Sequence, residues 1–270
     1  MTALVKSFVR ALLPRTIRSR VILAGPLRGY RIVTSWHDYP AAITGRTERP
    51  LIDWFEKNVH PEETWLDVGA HYGYTAVALS RLVGASGRVF AFEPMISTAG
   101  YVTQTRQLNE FPQLIVLPLG LASPEALEMV QLPVTRGMVD STLAEGEDRR
   151  AGPERGNGMK DEGRTTLQDT IMVARLDWLW PRVCGKREQI DGIKIDVQGM
   201  EIQALRGMTA QLDRYRPKLV IEFHPQVDRG EMLKILEASG YAAHGVPVEP
   251  QPRDQEGLYL DDKSYAFMPI

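Results

Sequence analysis

The 270-residue chain is long enough for one sizeable core, and its 43% apolar and 24% charged residues are those of an ordinary globular domain. No stretch approaches the roughly 20 consecutive apolar residues of a membrane span, and a formal net charge of −2 gives no general attraction to nucleic acid. The single cysteine, Cys184, excludes an intramolecular disulfide and a multi-cysteine zinc site, fits a reducing compartment, and reads as a small apolar residue.

The average charge hides an asymmetry, because every charged side chain before Asp38 is basic: Lys6, Arg10, Arg15, Arg18, Arg20, Arg28 and Arg31. Leu4, Val5, Phe8, Ala11 and Leu12 fall at helical spacing opposite Lys6 and Arg10, and Pro14 ends that helix. Residues 1–50 are therefore expected to be a basic extension and entry layer ahead of a main domain at 51–270. The extension either covers an edge of the domain or touches an anionic membrane surface from the cytoplasm. Gly29 to Thr34 reads as a strand, and Thr47-Glu48-Arg49-Pro50 opens a helix that carries Leu51, Ile52, Trp54 and Phe55.

Next comes the stretch that organises the rest, Thr64-Trp65-Leu66-Asp67-Val68-Gly69-Ala70-His71-Tyr72-Gly73, a buried strand that ends in a glycine turn. A helix from Tyr74 to Val83 follows it. Arg88 to Pro94 is a second strand, Ser97 to Asn109 a helix, and Leu114 to Leu117 a third strand. This alternation predicts an α/β fold, a parallel sheet with right-handed crossovers and helices on both faces. Between Leu119 and Leu176 the pattern loosens: Leu127 to Leu132 alternates like a strand, whereas 145–164 is nearly devoid of apolar residues and carries five glycines. The spacing predicts a mobile charged loop at about 144–165, either a lid over an acceptor or a tolerated insertion. Ile171 to Leu176 then resumes as a strand running into Asp177, and Ile190 to Gly199 is another, followed by a helix from Met200 to Leu212. Lys218 to Pro225 is the next strand, Glu231 to Ala238 a helix, and Tyr241 to Val248 with Tyr265 to Met268 a closing hairpin-like pair.

Asp67, Glu93 and Asp196 each put a carboxylate at a strand end, at the edge where open α/β sheets bind ligands. Glu93 lies 20 residues after Gly73, the spacing of an acid that accepts hydrogen bonds from a ribose diol, so an adenosine cofactor is expected. The turn Gly69-Ala70-His71-Tyr72-Gly73 lacks the G-x-G-x-x-G that closes over a pyrophosphate. Asp67 would repel a pyrophosphate and attract an ammonium or sulfonium, by roughly 4 kcal/mol at about 4 Å and an effective dielectric of about 20. S-adenosylmethionine is thus expected ahead of a nicotinamide cofactor.

Leu66-Asp67-Val68-Gly69-Ala70-His71-Tyr72-Gly73, Phe92-Glu93-Pro94, Leu176-Asp177, and above all Ile193-Lys194-Ile195-Asp196-Val197-Gln198-Gly199-Met200-Glu201 with Arg216-Pro217 and Glu222 resemble the FkbM family of S-adenosylmethionine-dependent methyltransferases. The likeness runs from about Gly45 to the C-terminus, and Pro26-Leu27-Arg28-Gly29 resembles the family's N-terminal layer more loosely. The resemblance implies a Rossmann-like class I methyltransferase, with a seven-stranded, mostly parallel sheet whose last strand is antiparallel. It also implies O-methylation of a hydroxyl on a sugar, glycolipid or polyketide-like acceptor. Two positions depart from the family pattern, which commonly has Glu at Gln198 and Asn at His71; an amide is neither a base nor a strong anionic metal ligand.

Methyl transfer requires an aligned acceptor that loses a proton, and Asp196 is the first candidate for orienting or deprotonating it, with His224 the second. The expected cofactor contacts are Asp67, Gly69, Ala70, His71, Gly73 and Glu93, and the expected acceptor contacts Glu48, Ser141, Glu201 and Glu222. No metal is required by this scheme, although Asp196, Glu222 and His224 together suit a divalent ion that acidifies the hydroxyl. The bland alternatives are that Asp196 caps the Met200 to Leu212 helix and that His224 fixes a turn. Gln198 keeps open a methyltransferase-like binding protein without turnover, and the strand-turn-helix alone keeps open a nicotinamide-dependent oxidoreductase. No nucleic-acid partner is expected, because the basic residues collect in the terminal extension and no aromatic and basic stripe marks a base-binding platform.

Overall fold

Thr64–Val68 is buried at every position, as a strand covered on both faces must be, and pairs in parallel with Gly192–Ile195 on one side and Arg88–Phe92 on the other. The computed structural model describes residues 13–135, 138–139, 167–242, 244–252, 254 and 257–270. The helix expected around Leu4 to Leu12, Ser141 and the charged stretch at 144–165 lie outside the described residues.

The main sheet has seven strands, in spatial order Leu114–Leu117, Arg88–Phe92, Thr64–Val68, Gly192–Ile195, Lys218–Phe223, Lys263–Phe267 and Val246–Pro247. The first five run parallel. The last strand in sequence, Lys263–Phe267, is inserted antiparallel between Lys218–Phe223 and Val246–Pro247. This is the sheet expected from the sequence.

The strand period of two sends Leu66 and Val68, with Phe90, Phe92, Ile193 and Ile195, into one core, and Trp65, Val89 and Ala91 into another. The first core is covered by helices Leu176–Val183, Glu201–Arg206, Thr209–Tyr215 and Arg229–Ala238. Helices Arg49–Asn58, Tyr74–Val83 and Ile96–Leu108 cover the second. Each large apolar side chain buried this way contributes roughly 1.5–3 kcal/mol relative to exposure. Asp67 shares the face of Trp65, and the register sets it opposite Lys194. Two buried charges thus meet across adjacent strands.

The entry layer is an antiparallel ribbon of Arg18–Val21 and Arg31–Thr34, whose neighbours Ile22, Leu27 and Ile32 are fully buried in the second core. Asn109 ties it down from the Ile96–Leu108 helix, accepting from Arg31 N at 2.8 Å and donating to Arg31 O at 2.7 Å.

Two local expectations are corrected, and a second sheet is added. The single helix Met200 to Leu212 is two helices, Glu201–Arg206 and Thr209–Tyr215, separated at Gly207, where a Cβ would lie 1.8 Å from the Ala122 carbonyl oxygen. The segment at Asp177 is helical, Leu176–Val183, and the Asp177 carboxylate accepts from Ala210 N at 3.3 Å and Gln211 N at 3.2 Å, capping the second of those helices. Leu127–Thr135 and Leu167–Ala174 pair antiparallel with each other, outside the main sheet, in a small second sheet completed by Gly120–Leu121 and Met138–Val139.

Candidate active site

The carboxyl ends of Thr64–Val68, Arg88–Phe92, Gly192–Ile195 and Lys218–Phe223 converge on one edge of the sheet. The turn after the first of these strands is built on Gly69, whose φ of +81° and approach to Asp196 O, 1.8 Å from where a Cβ would stand, admit no side chain. Gly69 N and Ala70 N both donate to Phe92 O at 3.0 Å. His71 follows with φ +49°, so that its N–H points at Glu93 and donates to Oε2 at 2.9 Å. Met95 N donates to the other carboxylate oxygen at 3.0 Å. Glu93 is 6% exposed, and its burial outweighs these two bonds and lifts its carboxyl to about 7.

Glu93 lines a cavity of about 330 Å³, within the range of small-molecule sites. Gly69, His71 and Pro94 line it together with Asp196, Val197 and Gln198. An apolar part of the lining, Leu121, Val130, Ile171 and Val173, is supplied by the second sheet. These wall residues were not foreseen. The alternation at Leu127 to Leu132 was their signal, since it turns Leu127 and Met129 outward and Glu128 and Val130 into the cavity.

A smaller hollow of about 40 Å³ adjoins this cavity and is lined by Tyr39, Glu48, Thr75 and Lys194, with Gly69, His71 and Asp196 shared. The His71 ring packs on Tyr39 and Tyr72, at centroid distances of 5.2 Å and 4.4 Å, and burial lowers its pKa to about 4, so it is neutral at neutral pH. Glu48 stands at the start of the Arg49–Asn58 helix, its carboxyl raised above the usual range by burial.

Lys194, given no role by the sequence reading, is the hub. It is 4% exposed, and its Nζ donates to Gly69 O at 2.8 Å and lies 3.2 Å from Asp67 Oδ1 and 3.6 Å from Asp196 Oδ2. Burial works against its charge, but Asp67 and Asp196 outweigh that and hold it charged. Asp67 also accepts from Thr75 Oγ1 at 2.7 Å and is 0% exposed. It therefore lines neither cavity; the structure places it behind the glycine turn as the partner of Lys194 rather than facing a ligand.

At the neighbouring strand end, His224 Nδ1 lies 2.6 Å from Glu201 Oε1, and Nε2 lies 2.9 Å from Gln198 Nε2, 3.5 Å from Asp196 Oδ1 and 3.6 Å from Glu222 Oε1. Asp196, Glu222 and His224 come together with ligand atoms all within 4.8 Å of one another. Burial opposes charge on His224, but the Glu201 hydrogen bond and the Asp196, Glu201 and Glu222 carboxylates outweigh it and raise its pKa. Glu222, pushed up by burial and by Asp196 and Glu48, sits at about 7. Asp196 caps no helix: the Glu201–Arg206 helix starts at Met200, with no side-chain cap.

A model of the FkbM methyltransferase domain matches residues 67–243, well over half of the chain. The chain belongs to the FkbM methyltransferase family. Its seven-stranded, mostly parallel sheet is the one that the resemblance to this family implied. Among solved structures, this FkbM chain is similar to an FkbM methyltransferase from Methylobacillus flagellatus, with 16% identity, a TM-score of 0.46, and coverage of 80% of this chain and 50% of that one. It thus spans half the length of that protein. It is also similar to Aeropyrum pernix fibrillarin, solved with natively bound S-adenosyl-L-methionine, at 14% identity and a TM-score of 0.47, covering 94% of this chain and 88% of the other. A third, an S-adenosylmethionine-dependent O-methyltransferase from Thermotoga maritima, shares 12% identity at a TM-score of 0.43, covering 83% and 64%. No curated protein matches.

Proposed function

We propose that this methyltransferase takes its methyl group from S-adenosylmethionine and delivers it to a hydroxyl of a sugar, glycolipid or polyketide-like small molecule. The observation that carries the reading is a single cavity lined by the Glu93 carboxyl group, by a set of apolar side chains, and by Asp196 and Gln198. Glu93, already fixed by two backbone N–H groups, has lone pairs left for a ribose diol, and the wall of Val130, Ile171 and Val173 suits a flat heteroaromatic base.

Bound there, S-adenosylmethionine supplies an electrophilic methyl on a sulfonium. Glu48 and Glu222, both coupled electrostatically to Lys194, add to Asp196 on the cavity lining, so the carboxylates near the site outnumber the one cation and favour a positively charged cofactor over a pyrophosphate. Asp196 orients the acceptor hydroxyl at the rim, and the buried side chains behind it receive the proton. A cation on Asp196, Glu222 and His224 would have to take His224 Nε2 from Gln198; proton removal by the side chains themselves is the reading adopted.

Among the described residues no helix is long and apolar enough to cross a membrane. The proposed site of action is the cytoplasm, with peripheral contact through the basic N-terminus tested by sedimentation with anionic vesicles at low salt; no binding removes that contact. Calorimetry tests the cofactor. S-adenosylmethionine is expected to bind saturably and NAD not; tight NAD binding would overturn the reading in favour of the oxidoreductase, and absence of any cofactor binding would favour a fold kept without turnover.

A further inference from the structure

His224 is 4% exposed and gripped at both ring nitrogens. Nδ1 faces Glu201 Oε1 at 2.6 Å, and a carboxylate oxygen only accepts, so Nδ1 carries a proton. Nε2 faces the Gln198 amide nitrogen at 2.9 Å, and an amide nitrogen only donates, so Nε2 presents its lone pair. Both contacts specify the same neutral tautomer. Glu201 is itself fixed: it is 0% exposed and its Oε1 also accepts from Gly199 N at 3.2 Å. Gln198 is held at φ +54°, in the left-handed region that few side-chain-bearing residues adopt, and lines the large cavity in front of the histidine. A glutamate at 198 would demand a second proton on the ring. The glutamine does not.

We infer that Glu201 is a positioning residue that sets the His224 proton on Nδ1, and that His224 Nε2, uncovered when the acceptor displaces the Gln198 amide, takes the proton of the hydroxyl being methylated. The inference rests on the methyl-transfer reading above. In the step, the acceptor O–H bond breaks as its proton bonds to Nε2; the new O–CH3 bond forms as the S–CH3 bond breaks, its electron pair remaining on sulfur. The resulting imidazolium lies against Glu201, with Asp196 and Glu222 beside it and Lys194 Nζ 3.6 Å from Asp196 Oδ2. It returns its proton to solvent after the product leaves.

The tautomer can be read without an acceptor, by nuclear magnetic resonance of the full chain carrying 15N-histidine, with His224→Gln identifying the signal among the five histidines. At alkaline pH, where the ring has lost its charge, wild type is expected to show the Nδ1–H form and Glu201→Gln a mixture or the Nε2–H form, whereas Gln198→Glu should keep both ring nitrogens protonated to higher pH than wild type. An Nε2–H ring in wild type overturns the inference, as does a saturable displacement of the His224 signal by magnesium, which would place an ion on Nε2. Calorimetry on the same samples keeps the two readings apart: wild type that fails to bind S-adenosylmethionine overturns the cofactor reading whatever the tautomer. Once the transfer assay yields an acceptor, Glu201→Gln should lower kcat about tenfold to a hundredfold with KM little changed. An unchanged kcat would overturn the positioning role.

Discussion

Replacing Glu93 by glutamine removes the charge proposed to hold the cofactor ribose while keeping the shape of the side chain. In wild type both carboxylate oxygens already hold a backbone N–H, from His71 and Met95, so the residue enters binding rigid and oriented. A hydrogen bond to a charged group is worth about 1.5–3 kcal/mol, and its loss should raise the Kd for S-adenosylmethionine roughly tenfold to a hundredfold. The pH dependence separates this cause from simple damage. Because burial lifts the Glu93 carboxyl to about 7, the ionised form that accepts both ribose hydroxyls gains population as pH rises through neutrality. Wild-type affinity should therefore increase about tenfold from about pH 6 to about pH 8, while Glu93→Gln lacks that increment. The folding contribution of the same group has the opposite sign: with its folded pKa raised, its stability is fully present below the ordinary carboxylate value of about 4.3 and is lost, to the extent of roughly 3 kcal/mol, as pH rises through 7. Stability and cofactor affinity should thus move in opposite directions. Calorimetric titration at three pH values, paired with urea melts of the cofactor-free protein, measures both; equal Kd values in variant and wild type, or affinity flat with pH in both, would refute the reasoning.

Lys194→Met should cost about 3–5 kcal/mol of folding stability, because it leaves Asp67 charged with no exposure and Gly69 O without its donor; a urea melt matching wild type would remove Lys194 as the hub. Asp196→Asn should lower turnover about tenfold to a hundredfold while the Kd for S-adenosylmethionine stays within about twofold, and undiminished turnover would take Asp196 out of the chemistry. Transfer should persist in a chelator, since an ion on Asp196, Glu222 and His224 would first have to displace the Gln198 amide from Nε2; activity lost in chelator and restored by magnesium would reinstate that ion.

The main sheet was legible because its strands are short apolar runs bounded by glycine turns, and their alternation with helices leaves few topologies. Glu93 and Asp196 were legible for the same reason: each stands just after its strand, and both line the cavity. Asp67 was misplaced because its fate depends on register. The last strand residue but one, it lies across from Lys194 of a strand more than a hundred residues later, and no local pattern announces that pairing. The apolar wall was hidden likewise, since Leu127–Thr135 and Leu167–Ala174 are joined through residues with no strand signal, and long-range antiparallel pairing leaves only a faint alternation in each partner. The break at Gly207 was hidden because it depends on Ala122, more than eighty residues earlier, packing against that glycine. The grip of Glu201 and Gln198 on His224 joins two strand ends and needed three dimensions.

The most direct measurement is transfer of a labelled methyl group from S-adenosylmethionine by the purified chain to fractionated glycans, lipids and small hydroxylated metabolites. The expected result is label on a hydroxyl oxygen of at least one fraction, with S-adenosylhomocysteine formed in equal amount and both lowered about tenfold to a hundredfold in Asp196→Asn. Cofactor bound saturably by wild type yet unconsumed across every fraction would contradict the account.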